Sequence, residues 1–243
     1  MIDLLVVNHR TAAEARRLVA AAPAGAFHVH LLENGSGPND RDELAGVDGV
    51  VVSERNLGFA GGVNRLARDA TGEWLLLMNP DVVPGPGLFE QVAANLPESM
   101  DVGVVGGVRV GAGPRSFGSF PGLLDRWRGP ESVPRGARDV DWVSGCFMLV
   151  RRRVFEALGG LDEGYFLQLE DVDFCWRARA AGLRVVVDPR FAFEHAGHLA
   201  YARSGRSLAR DFRAGKVRFL ERSGRPVAAA VLRAVHALSR TAD

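Results

Sequence analysis

Cysteine is scarce: the 243-residue chain holds two, Cys146 and Cys175. Two thiols build neither a disulfide framework nor a cysteine zinc cage, which points to a reducing compartment. Lysine is scarcer, with Lys216 alone beside 29 arginines, a bias expected of a GC-rich genome rather than of a function. No apolar run approaches the ~18 residues of a membrane span. The opening run Ile2–Val7 is too short for a signal peptide and lacks a basic leader, so the expected location is cytoplasmic. A dinucleotide-binding Rossmann fold places G-x-G-x-x-G after its first strand; here Asn8-His9-Arg10-Thr11 follows instead. The Gly215-Lys216 pair precedes Val217, where a P-loop needs Ser or Thr. These absences argue against nicotinamide and P-loop chemistry.

What is present suits a compact globular α/β chain: 47% hydrophobic, 24% charged and 8% aromatic residues. Net charge is +1, but it is unevenly placed. From Arg203 onward the chain carries +7, and the part before it −6. A basic tail on an acidic body suits an anionic partner such as a lipid headgroup or lipid diphosphate, and possible peripheral membrane contact on the inner face of the plasma membrane. A solvated helix face is the plain alternative. Nucleic acid would also answer to that charge but is not the expected partner. The oligomeric state is open.

Apolar runs at Ile2–Val7, His28–Leu32, Val50–Ser53, Trp74–Met78 and Val102–Val110 predict strands. Helices are predicted between them, the first opened by a Thr11-x-x-Glu14 capping box, then Phe59–Ala70 and Pro86–Leu96. This order predicts an α/β fold with a mostly parallel sheet and helices on both faces. Gly111–Arg138 has no period and reads as a long loop. Beyond it come a strand Phe147–Val150, helices Arg152–Leu158 and Asp171–Ala181, and two short strands, Arg184–Val187 and Phe191–Phe193. Ser207–Glu221 and Val227–Leu238 read as amphipathic helices. The expected division is a domain over 1–205 and a basic helical tail over 206–243.

Three segments carry candidate chemistry. Asn79-Pro80-Asp81 follows a fully apolar strand, where open α/β sheets bind ligands and a carboxylate can meet Mg²⁺ or Mn²⁺. A simple turn explains it equally well. Glu170-Asp171-Val172-Asp173 opens a helix, a placement the macrodipole favours without any function. One of these acids in a cleft would serve as a general base, its pKa raised by its neighbours. Glu194-His195-Ala196-Gly197-His198 follows a short strand, and its histidines are core residues or metal ligands.

Order and spacing make these segments more specific together. The chain resembles the family 2 glycosyltransferases of the GT-A fold, in the bacterial rhamnosyltransferase-like branch. The resemblance rests on Val6-Val7-Asn8, Glu33-Asn34-Gly35-Ser36, Asn56-Leu57-Gly58-Phe59-Ala60-Gly61-Gly62-Val63-Asn64 and Asn79-Pro80-Asp81-Val82. Trp142-Val143-Ser144-Gly145-Cys146, Leu149, Arg151-Arg152, the Phe166–Asp173 stretch and His195 complete it, over residues 1 to about 200.

The resemblance implies an inverting sugar transfer from a nucleotide-diphosphate donor, dTDP- or UDP-linked, to a hydroxyl acceptor, with a polyprenyl-linked glycan, another polysaccharide precursor and a small natural product all open. It implies a metal, Mg²⁺ or Mn²⁺, on Asp81 with His195 as second ligand, and Asn79 standing where many relatives carry another acid. Asn8, Arg10 and Glu33 are implied at the base and ribose, with Glu33 a methylene longer than the usual Asp. Asn56, Gly58 and Asn64 are implied in the donor wall, Asp171 as base and Glu170 as its support. Rival readings are a non-catalytic nucleotide-sugar or carbohydrate-binding module and a sugar-1-phosphate nucleotidyltransferase; the latter normally has a Gly-rich loop after strand one, which is missing here.

Overall fold

The computed structural model describes residues 1–111, 116–119, 133–195, 199–204 and 207–240. In chain order the elements are β1 (Ile2–Asn8), α1 (Ala12–Ala20), β2 (Phe27–Asn34), α2 (Pro38–Glu43), β3 (Val50–Ser53), α3 (Gly58–Ala67), β4 (Trp74–Met78), β5 (Val82–Pro84) and α4 (Leu88–Ala94). They continue with β6 (Val102–Val110), β7 (Phe117–Gly118), β8 (Arg138–Asp139), β9 (Trp142–Val143), β10 (Phe147–Arg151), α5 (Arg152–Ala157) and α6 (Glu170–Ala180). β11 (Arg184–His195), α7 (Leu199–Ser204), α8 (Leu208–Arg222) and α9 (Pro226–Arg240) follow.

The main sheet runs in the order β3-β2-β1-β4-β10-β6-β11-β5. β3, β2, β1 and β4 are mutually parallel, as are β6 and β11. β10 is antiparallel to both of its neighbours, β4 and β6. β4 reads as an unbroken apolar run, and β1 as one interrupted only by Asp3 before Asn8 ends it, because helices cover both faces. Leu5, Val7, Leu75 and Leu77 point into one core with Val63, Leu66 and Phe174. The alternate residues Leu4, Val6, Trp74 and Leu76 enter a second core with Leu18, Phe89 and Val92. Burying each such side chain stabilises the fold by about 1.5–3 kcal/mol.

The tail does not hang free. Phe219 of α8 is fully buried in the first core. Arg222 Nε lies 2.8 Å from an Asp173 oxygen, and Arg218 donates to both oxygens of Asp162. Val217 and Leu220 of α8 pack against Ala229 and Leu232 of α9 in a third, smaller core.

Several local expectations are corrected. The capping box at Thr11 does not form: the Asn8 side chain accepts from Thr11 N and Thr11 Oγ1, and Glu14 pairs with Arg203 instead. The two short strands at 184–187 and 191–193 are one strand, β11, with a register shift between Val187 and Ala192. A period-2 reading breaks at such a bulge. The span 111–138 is not a plain loop: β7 lies inside it, pairs with β9, and β8 begins at its end. Most of that span, residues 112–115 and 120–132, lies outside the described residues, as do Ala196, Gly197 and His198.

Candidate active site

The parallel strands end along one edge of the sheet, and because β10 is antiparallel its start lies at that same edge, with Phe147 opposite Met78. Asn8 ends β1, Glu33 and Asn34 end β2, Asn79 and Asp81 follow β4, and His195 ends β11. Residues scattered over the chain therefore meet there for a topological reason.

At the centre of the edge, His195 Nε2 lies 3.0 Å from Asp81 Oδ1 and 3.5 Å from Asn79 Nδ2. Both members of the ion pair are buried. Burial opposes charge on His195, but the Asp81 hydrogen bond and then contact with Cys146 outweigh it and push the imidazole up to about 10. Burial likewise opposes charge on Asp81, and His195 with the Leu199 backbone N–H brings its carboxyl below the ordinary value. Asn79 N donates to Cys146 O at 3.1 Å, fixing this pair against the turn before β10.

The same turn holds the second acid. Gly145 N donates to Asp171 Oδ2 at 2.9 Å, and Ser144 also hydrogen-bonds that side chain. Asp171 is half-buried and Glu170 buried, with Glu170 Oε2 lacking any partner. Burial, then the neighbouring Asp171 charge, raises the Glu170 carboxyl well above the ordinary range; burial also raises Asp171, against its hydrogen bonds. The turn leading into α6 is strained: Gln168 and Leu169 have φ of 80° and 75°, rare for residues with side chains. Gly215 of α8 backs this turn so closely that an added Cβ would lie 2.8 Å from Gln168 O. Strain held by outside packing is common where a side chain must be aimed.

On the β1–β2 side the polar groups are already engaged. Glu33 is fully buried, accepting from Ser36 N at 2.5 Å and pairing with Arg41 at 3.2 Å. Asn8 is buried and donates to Asp40. Asn34, a residue in the motif that sequence reasoning assigned no role, donates to Asn56 Oδ1 and Gly58 O and accepts from Leu57 N. Gly58 has φ +75°, and a Cβ there would lie 2.4 Å from Phe166 O. Asn64 clamps Leu161 through both its N–H and its C=O, so its side chain positions the approach to α6. Arg10 is exposed; its guanidinium donates to Arg203 O, and Arg203 returns a bond to Arg10 O and pairs with Glu14. α7 thus spans from Asp81, through Leu199, to Arg10.

The family model described as glycosyltransferase like family 2 matches residues 39–214. The chain belongs to this family. Among curated relatives, the N-acetylglucosaminyl-diphospho-decaprenol L-rhamnosyltransferase of Mycobacterium tuberculosis H37Rv is 32% identical over 175 residues, 59% of this chain and 57% of that protein. The rhamnosyltransferase WbbL of Escherichia coli K12 is 42% identical over 74 residues, 30% of this chain and 27% of that protein. The chain spans a little over half the length of the first of these and about a quarter of the second. Two solved structures share the fold. The mannosyltransferase PcManGT of Pyrobaculum calidifontis, in complex with GDP-Man and Mn²⁺, aligns over 100% of this chain and 75% of its own at a TM-score of 0.61 and 14% identity. GalNAc-T7 with UDP, GalNAc and Mn²⁺ aligns over 91% of this chain and 47% of its own, at 0.67 and 14%. The fold is therefore the GT-A fold expected from the sequence.

The donor set fits a divalent cation. Asp81 offers a carboxylate oxygen, His195 an imidazole nitrogen and Asn79 an amide, all converging within hydrogen-bond range. A carboxylate oxygen with an imidazole nitrogen is a donor set that divalent cations accept. Cys146 and Asn34 are the contributors that sequence reasoning passed over. Both lie inside the quoted motifs, so the signal was present; their contacts were not.

Proposed function

We propose that the chain transfers a hexose, with a deoxyhexose such as rhamnose favoured, from a nucleotide diphosphate to a hydroxyl acceptor, inverting the anomeric carbon. The observation that carries this reading is the turn Ser144–Cys146. The Asp81–His195 pair meets it at Cys146, and Asp171 meets it at Gly145. A cation-binding pair and a carboxylate with a raised pKa thus flank a single backbone turn, as one displacement requires.

Asp81, His195 and Asn79 would hold Mg²⁺ or Mn²⁺, whose positive charge stabilises a departing diphosphate by several kcal/mol, roughly. Asn8, Arg10 and Glu33 line the nucleotide end. Asn56, Gly58 and Asn64 shape the wall beside it. Asp171 accepts the proton of the acceptor hydroxyl as its oxygen bonds to the anomeric carbon. The bond from that carbon to the diphosphate oxygen breaks on the opposite face, and its electron pair leaves with the nucleotide. Burial raises both carboxyls and Glu170 the further, which favours Asp171 as the charged member of the pair. General-base assistance of this kind contributes about 10²–10⁴-fold.

A lipid-diphosphate acceptor accounts for the basic tail. Arg210, Arg213, Arg218 and Arg233 line an open cleft of about 690 Å³ that also touches Gly164, ahead of α6. The mycobacterial relative, an N-acetylglucosaminyl-diphospho-decaprenol L-rhamnosyltransferase, supports the same acceptor class. No helix among the described residues is long and apolar enough to cross a membrane.

The test combines dTDP-, UDP- and GDP-sugars with a lipid-diphosphate acceptor, with Mn²⁺ or with EDTA. One nucleotide class is expected to raise Tm in Mn²⁺ and to release nucleotide diphosphate only when acceptor is present, with the product anomer inverted. Binding without release identifies a binding module. Pyrophosphate release identifies a nucleotidyltransferase. Undiminished transfer in EDTA removes the cation from the reading.

A further inference from the structure

The opposite edge of the sheet carries a second cluster of ligating groups. Asp3 near the start of β1 is fully buried, and its register partner on β2 is His28, two residues before His30. Residues two apart on a strand share a face, so both imidazoles stand beside the same carboxylate. His28 Nδ1 lies 3.2 Å and His30 Nε2 2.8 Å from the same oxygen, Asp3 Oδ1. One ligand atom from each of the three residues lies within 4.8 Å of the others. The two rings sit 4.4 Å apart at 62°, which presents the nitrogens without stacking the rings. Five strand steps of about 3.3 Å each lead from Asp3 to Asn8, so this cluster is remote from the site described above.

Three features distinguish it from an ordinary buried acid. The other oxygen, Asp3 Oδ2, accepts from Gly72 N at 2.5 Å, an outer contact that orients the carboxylate as ligating carboxylates are oriented. Gly72 closes over it so tightly that a Cβ would lie 2.7 Å from Asp3 Oδ2. His30 is buried while the His28 side chain is 55% exposed, so one side of the cluster opens to water.

We propose that Asp3, His28 and His30 form a binding site for a divalent transition ion of the zinc class, with solvent in the open position. Two imidazoles and a carboxylate are the ligand set that Zn²⁺ accepts with a vacant fourth position. Bond lengths of 2.0–2.1 Å in a tetrahedron place ligand atoms about 3.3 Å apart, close to the spacings the cluster already has. Binding replaces the imidazole protons that now bridge to Asp3 and ties β1, β2 and the turn at Gly72 together. It serves stability, since it lies away from the transfer site.

Co²⁺, which colours when bound by few nitrogen and oxygen ligands, is the probe, with bound ion counted after gel filtration. The folded chain and its Asp81→Asn variant should each lose one equivalent of bound Co²⁺ on His28→Ala. Zn²⁺ at a hundredfold excess over its dissociation constant should raise Tm by several degrees, and the rise should vanish in His28→Ala. His28 is mostly exposed, so that variant should melt within a degree or two of the parent in EDTA, separating lost ligation from lost folding. Bound Co²⁺ unchanged by His28→Ala overturns the proposal. So does a loss seen in the parent but absent in the Asp81→Asn background, which assigns the ion to the other edge.

Discussion

Asp171 is the residue on which the proposed chemistry turns. Asp171→Asn keeps the hydrogen bond to Gly145 N and removes the proton acceptor. Transfer should fall by at least about 10²–10⁴-fold while the nucleotide-induced rise in Tm persists. Turnover near that of the parent would take Asp171 out of the mechanism. Glu170 makes a different prediction. Its carboxyl is raised in the fold by burial and by Asp171, so the folded chain holds a proton that the unfolded chain releases near the ordinary value of 4.5. Stability is therefore greatest below that pH and declines as pH rises through the window above it. Thermal melts from pH 4 to 8 should show this decline, and Glu170→Gln should flatten it. A slope that Glu170→Gln leaves untouched places the cause elsewhere.

At the scale of elements, the segment leading into α6 meets the start of α3 through a backbone hydrogen bond. Phe59 N donates to Phe166 O, and Gly58 lies so close that no side chain fits. Gly58→Ala adds both that clash and a left-handed backbone cost, together about 1–3 kcal/mol. The Tm should drop by several degrees, and transfer should weaken because the segment that aims Asp171 shifts with it. An unchanged melt would mean that Phe166 moves freely. The N-x-G-F stretch was legible as a motif in the sequence. Its reason was not, because Phe166 is more than a hundred residues further along the chain. The failed capping box at Thr11 has the same origin: Asn8 and Arg203, from β1 and α7, take the groups that a local pattern assigns to each other.

For the molecule as a whole, the tail is both a structural brace and a charged surface, and the two are separable. Phe219 is buried in the main core and Arg222 pairs with Asp173, so deleting residues 206–243 should expose core and lower Tm sharply. Liposome binding by such a truncation would say nothing about charge. Arg210→Ala, Arg213→Ala and Arg233→Ala leave those contacts in place. Combined, they should weaken binding to anionic vesicles severalfold, with little loss at high salt, where screening has already removed the attraction. Equal binding by the triple variant and its parent would separate the tail from the membrane.

Local sequence was enough to read the succession of most strands and helices along the chain, the burial of β4 on both faces, the resemblance to the family and the acids to watch. Those features are written in local periodicity and in short motifs, which neighbours in the chain suffice to express. Tertiary structure alone decided that β10 runs backward between β4 and β6, that its leading turn joins Asp81 and His195 to Asp171, and that Asp3 faces two histidines. Such juxtapositions depend on which strands become neighbours. That choice is made by packing free energy summed over both faces of the sheet, and no single stretch of sequence carries it.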